Sequence, residues 1–176
     1  MIRQRSSREV YRTQWMRVRE DQVEFDDGSS GVFSVVEKQD FVTVIPSTGD
    51  GFWLVEQFRY PVGERAWEFP QGGWPAGRSG TMAELAVAEL AEEAGLAAAS
   101  WRHLGRLYAA YGYCNQSFEV MLATDLTPVP PRRERSEQDM VHRWFSDAEV
   151  RDMVRDGGFP DSHSVAALAL FDAVTV

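Results

Sequence analysis

The run Thr81-Met82-Ala83-Glu84-Leu85-Ala86-Val87-Ala88-Glu89-Leu90-Ala91-Glu92-Glu93-Ala94-Gly95-Leu96 constrains this chain more than any other. Ala, Leu and Glu are strong helix formers. Thr81, followed three residues later by Glu84, has the form of a capping box. Gly95 supplies a left-handed stop. The helix between them carries Glu89, Glu92 and Glu93 at spacings that share one face, where like charges destabilise it unless a cation intervenes. A hard divalent ion such as Mg²⁺ prefers carboxylate oxygens and keeps coordination positions open for phosphate. On spacing alone, a solvated acidic face is the alternative. Val87, Leu90, Ala91 and Ala94 are expected on the other side, against a sheet.

The flanking segments read mostly as strands. Residues 16–19 and 22–25 alternate polar and apolar side chains, 26–31 form a turn, and 32–36 form a further strand. Residues 41–45 and 52–58 flank Pro46-Ser47-Thr48-Gly49-Asp50-Gly51, the pattern of a hairpin with a longer loop. A Gly- and Pro-rich loop is expected over 61–80, strands near 104–110, 118–123 and 141–145, and helices over 147–156 and 162–174, the last capped by Asp161 or Ser162. The expected class is α/β, a mixed sheet covered by helices.

Composition narrows the functions. A chain of 176 residues with 44% hydrophobic content suits one domain with a sizeable core. No apolar run is long enough to cross a bilayer, and the basic N-terminus lacks the apolar stretch of a secretory signal. No membrane partner is expected. Cys114 is the only cysteine, which excludes an internal disulfide and fits a cytoplasmic location. The net charge of −9 argues against general nucleic-acid binding, but not against a nucleotide held through a metal. Cys114 and the three histidines are assigned structural roles.

Trp67-Glu68-Phe69-Pro70-Gln71-Gly72 taken with Glu89-Leu90-Ala91-Glu92-Glu93-Ala94-Gly95-Leu96 resembles the Nudix hydrolases. The similarity is greatest to the branch of ADP-ribose and nucleoside-diphosphate-sugar pyrophosphatases. Val55-Glu56-Gln57-Phe58-Arg59-Tyr60-Pro61, Leu104-Gly105-Arg106-Leu107-Tyr108 and Asp161-Ser162-His163-Ser164 also resemble segments of that branch. Two positions depart from the family box: its arginine falls at Ala88 and its first glutamate at Gly80. With the box glycine at Gly72, the loop has a two-residue insertion.

The resemblance implies an α/β/α sandwich with a mixed central sheet and an N-terminal antiparallel strand extension. The chain would be a single domain over 1–176, with the extension over about 1–38 and the Nudix core over about 39–176. It implies Glu89 and Glu93 as the main metal ligands, Glu92 as a third acidic position that ligates a second ion or orients water, and the backbone carbonyl of Gln71 as a further ligand. The metal would be Mg²⁺, with Mn²⁺ as an alternative. Glu137 is the candidate general base, with Glu134 and Asp139 as rivals. Arg59 is the candidate phosphate contact, since its guanidinium offers paired donors. Glu68 is a substrate-binding candidate with a structural alternative. Trp15, Trp67, Trp74 and Tyr111 are candidates for stacking on a base, Trp74 and Tyr111 foremost. The implied reaction cleaves the pyrophosphate of ADP-ribose or another nucleoside diphosphate sugar, in a homodimer. Gly80 and Ala88 keep open a non-catalytic nucleotide sensor, and a nucleoside triphosphate housecleaning enzyme is a third reading.

Overall fold

The structure, a computed structural model, describes residues 1–75, 77–130 and 138–175. Its elements run β1 (Arg3–Arg12), β2 (Arg17–Glu24), β3 (Ser30–Glu37), β4 (Phe41–Pro46), β5 (Gly51–Arg59), β6 (Glu64–Glu68), β7 (Gln71–Gly72), α1 (Met82–Ala94), β8 (Leu96–Tyr108), β9 (Ser117–Pro128), β10 (Val141–Ser146), α2 (Asp147–Asp156) and α3 (Ser162–Thr175).

The centre is a mixed four-stranded sheet in the order β7-β4-β9-β8. β4 runs parallel to β9 and antiparallel to β7, and β8 is antiparallel to β9. Every residue of β4 is buried, as expected of a strand covered on both faces. Val42 and Val44 face α1 and pack with Leu85, Ala86, Leu90 and Ala94. Phe41 and Ile45, on the opposite face, join Phe69, Phe118, Ala167 and Leu168 in a second core that includes α3. Helices on both faces make this an α/β/α sandwich. A second sheet, β10-β5-β6, is antiparallel throughout.

The expected hairpin over 41–58 does not form. β4 and β5 belong to different sheets, joined only by an isolated bridge between Ser47 and Phe52. The edges of β4 are taken by β7 and β9, so the Pro46–Gly51 turn carries the chain across to the other sheet. The expected loop over 61–80 contains two short strands, β6 and β7. The two short strands expected over 16–25 are one, β2, and β1 is an additional strand before it.

α1 has the expected capping box, with Thr81 and Glu84 exchanging side-chain and backbone bonds, and Gly95 closes it at φ 63°. Leu90 and Ala94 are buried as expected, but the face is turned relative to the expected one. Val87 is exposed, and Leu85, Ala86, Leu90, Glu93 and Ala94 are buried.

β1, β2 and β3 form a separate antiparallel sheet. β1 is exposed along its whole length and is tied to β2 by ion pairs such as Arg5–Glu24 and Arg8–Glu20, each at 2.6 Å. The sheet meets the core where Val36 N–H donates to the Tyr113 carbonyl at 2.8 Å and Asn115 N–H donates to the Val36 carbonyl at 3.1 Å.

Candidate active site

The site is built where β7 runs past the C-terminal half of α1. Val44 N–H donates to the Pro70 carbonyl at 2.9 Å, which docks the loop before β7 on β4. Gln71 pairs with Thr43, yet its N–H donates to Glu93 Oε2 at 2.9 Å. In an extended residue the N–H and C=O share one edge, so the Gln71 carbonyl also faces the α1 side. Glu93 is only 2% exposed, a depth at which a carboxylate must be hydrogen-bonded or paired. Gly72 follows. A Cβ there would lie 2.6 Å from Cδ and both oxygens of Glu89, so the absence of a side chain makes the space the Glu89 carboxylate fills.

Two helix carboxylates and a backbone carbonyl are hard oxygen donors, a set suited to Mg²⁺, which uses one or two carboxylates and keeps water or phosphate in its other positions. Among the described residues no three Asp, Glu, His or Cys side chains converge as a ready-made cage. The expected convergence of Glu89, Glu92 and Glu93 is therefore not a three-carboxylate cluster. Glu92 is half-buried, one helical turn from Glu89. The candidate base Glu137 and its rival Glu134 lie outside the described residues. Asp139, the other rival, has its carboxylate on Arg65 at 2.5 Å.

The loop is braced from the far end of the chain. Asp161, at the start of α3, accepts at Oδ2 from Gln71 Nε2 at 3.0 Å, from Ser164 N–H at 2.9 Å and from Ser164 Oγ at 2.7 Å. Ser164 Oγ in turn accepts from Phe69 N–H at 2.8 Å. Burial works to raise the Asp161 pKa, but the bonds from His163 and Ser164 hold it far below the usual carboxylate range. Of the two expected caps, Asp161 bonds Ser164 N–H, while its reach back to Gln71 has no local signal in the sequence.

Beside the loop lies a cleft of about 590 Å³, lined by Arg59, Glu68, Gln71, Gly72, Lys38 and His163 among others. Arg59 donates through Nε to Glu68 Oε2 at 3.0 Å and through Nη2 to Oε1. Burial pulls the Arg59 pKa down, but the bond and charge of Glu68, with Glu93 and Asp161 beyond, leave it raised. Glu68 is only 1% exposed, and Gln57 Nε2 also donates to it at 2.8 Å. Burial pushes its carboxyl up, opposed by Arg59 and Gln57. Glu68 thus holds Arg59 at the cleft wall, the structural alternative noted above.

A second cleft of about 690 Å³ opens between the β1–β2 turn and the core, and Trp15 and Trp74 both line it. The indole N–H of Trp74 is spent on the Gly80 carbonyl at 3.2 Å, and Arg78 sits 5.4 Å over its ring. A Cβ on Gly80 would lie 2.7 Å from Trp74 Cζ2 and 3.0 Å from Glu84 Oε2. The rigid indole occupies the space a side chain at this box position would need. Trp67 is partly buried and packs against the core, edge-on to Phe145 at 4.8 Å. Tyr111 is 85% exposed and lines a different groove, beside Tyr108 and Arg106, so the structure does not bring it together with Trp74.

Residues 37–168 match the family model of the NUDIX domain, and residues 2–36 match a model described as the nucleoside diphosphate sugar hydrolase N-terminal domain. The chain belongs to the Nudix hydrolases, and its N-terminal strands are similar to the N-terminal domain of nucleoside diphosphate sugar hydrolases. It is 34% identical over 161 residues to a Mycobacterium tuberculosis (strain ATCC 25618 / H37Rv) protein named ADP-ribose pyrophosphatase, covering 90% of this chain and 77% of that one. It is 28% identical over 122 residues to a Bacillus subtilis (strain 168) protein of the same name, covering 69% of this chain and 65% of that one. A crystal structure of an ADP compounds hydrolase shares the fold, with a TM-score of 0.84 at 22% identity, over 98% of this chain and 92% of that one.

Two outcomes follow from this geometry. Gly72→Ala should displace the Glu89 carboxylate and weaken divalent-cation binding by about tenfold or more, read by Mn²⁺ titration with circular dichroism as the check on folding. The depressed pKa of Asp161 means that its contribution to stability is complete above the unfolded value, about 3.9, and is lost as pH falls through the folded value. Urea midpoints should show the deficit of Asp161→Asn full at pH 7 and shrinking below about pH 4.

Proposed function

We propose that this chain hydrolyses the pyrophosphate bond of ADP-ribose or a related nucleoside diphosphate sugar, with Mg²⁺ or Mn²⁺, giving a nucleoside monophosphate and a sugar phosphate. The observation that carries the reading is the Gln71–Gly72 strand set against Glu93 and Glu89, with a cleft for a diphosphate alongside. The relatives named ADP-ribose pyrophosphatase support the substrate class.

Glu89, Glu93 and the Gln71 carbonyl would hold the ion, and Glu92 would ligate a second ion or orient water. The ion, when bound, neutralises the diphosphate oxygens and acidifies a water nucleophile. Glu93, fixed by Gln71 N–H, keeps its carboxylate in place without rearranging during the reaction. Arg59, held by Glu68, presents positive charge to a phosphate entering the cleft. Glu137 would take the proton from the attacking water. Trp74 and Trp15 line the second cleft, where a base has room to stack.

The packing of Trp74 on Gly80 favours the enzyme over the non-catalytic sensor. The space left by the missing box glutamate is taken up by the indole, while the carboxylates on α1 remain. The domain division into an extension over about 1–38 and a core over 39–176 belongs to the same reading. So does a homodimer formed through the β1–β3 sheet, whose exposed Val10, Tyr11 and Val32 leave apolar surface for a second copy. A cytoplasmic location fits the lone, reduced cysteine.

The direct experiment is to incubate the protein with ADP-ribose and Mg²⁺ and resolve the products by chromatography. AMP and ribose 5-phosphate are expected, and binding without turnover across sugar nucleotides and nucleoside triphosphates would favour the sensor. Glu137→Gln should lower kcat by about 10²–10³-fold with KM nearly unchanged. Light scattering at micromolar concentration should give the mass of a dimer.

A further inference from the structure

His163 is unused by the chemistry described so far, yet it stands in the wall of the cleft beside the metal-binding strand. Its ring is fixed from three sides. Nδ1 lies 3.2 Å from Asp161 Oδ1, and Phe41 and Phe118 meet the ring edge-on, each with centroids at 5.1 Å. Among the described residues nothing partners Nε2, and the side chain keeps 28% of its surface exposed. A carboxylate opposite Nδ1 favours a proton on that nitrogen, and in its neutral form the ring then presents Nε2 as an acceptor.

The surroundings select what such an acceptor takes. Arg59 and Lys38 line the same cleft and suit the phosphates, whereas Asp161 stands against His163 itself, which favours a hydroxyl donor over a phosphate beside that ring. Pro61, Val62 and Pro160 add apolar surface suited to the face of a sugar ring. Resting on the function proposed above, we infer that His163 is a specificity residue whose Nε2 accepts a hydrogen bond from a hydroxyl of the sugar carried on the second phosphate. Asp161 is its positioning partner. Because Asp161 also holds Gln71 Nε2, the sugar contact and the metal-binding strand share one carboxylate.

Two isosteres separate this role from a purely structural one. An asparagine amide overlays Nδ1 and keeps the Asp161 bond without Nε2, whereas a glutamine amide overlays Nε2. His163→Asn should therefore raise KM for ADP-ribose about 5- to 20-fold with kcat little changed, and His163→Gln should recover most of that loss. Inhibition by AMP, which lacks the second phosphate and its sugar, should be the same in wild type and both variants. If His163 only braces Asp161, the order reverses: asparagine is tolerated, and glutamine damages stability and kcat. That reversal, or an equal change in AMP inhibition, would overturn the assignment. Calorimetric binding of ADP-ribose in EDTA reads the same contact without turnover. An inactive wild type that still binds ADP-ribose, with the asparagine variant weakened and the glutamine variant restored, would sink the hydrolase reading and leave this one standing.

Discussion

The bond from Gln71 N–H to the buried carboxylate of Glu93 is the join on which the site depends. It closes α1 onto β7 and orients the Gln71 carbonyl. It also contributes to satisfying a buried charge, and removing a partner from a buried ion costs several kcal/mol. Gly72 can then approach Glu89 closely, because β7 already lies against the helix. The short β7 strand thus works as a spacer between β4 and α1, and its two residues set where both carboxylates end.

Much of this was legible locally. The capping box, the glycine stop and the run of helix formers define α1 from residues within a few positions of one another. α2 carries the same device, with Ser146 and Glu149 forming its capping box. What escaped was decided at a distance. The hairpin expected from β4 and β5 rests on adjacency in sequence, but the parallel partner of β4 is β9, more than seventy residues on. Val87 was expected in the core and is exposed, whereas Glu93 is on the buried side. A hydrophobicity pattern assigns every glutamate to water and has no means of anticipating a backbone N–H waiting in the interior.

The candidate site divides along the same line. Glu89, Glu93 and Gln71 are singled out by the family resemblance, and the structure brings the three together around Gly72. Gly80 was visible only as a departure from the family pattern. Its cause, the Trp74 indole lying across it, involves a side chain six residues away and a loop conformation that no local propensity encodes. Glu68 lines the cleft, and its oxygens are taken by Arg59 and Gln57, in keeping with the structural alternative. Tyr111 was proposed for its chemistry and lies on another groove.

The brace from α3 has a consequence for the order of events during synthesis. Gln71 and Phe69 are complete in sequence long before their partners, since Asp161 follows Gln71 by 90 residues and Ser164 follows Phe69 by 95. At roughly 5–20 residues per second, a ribosome needs about 5–20 s to bridge that gap. Through that interval the nascent chain holds the motif strand and helix but none of the α3 groups that fix the strand's far side. The site is thereby tied to the completion of α3, and chains that stop short of it carry the motif without its finished geometry.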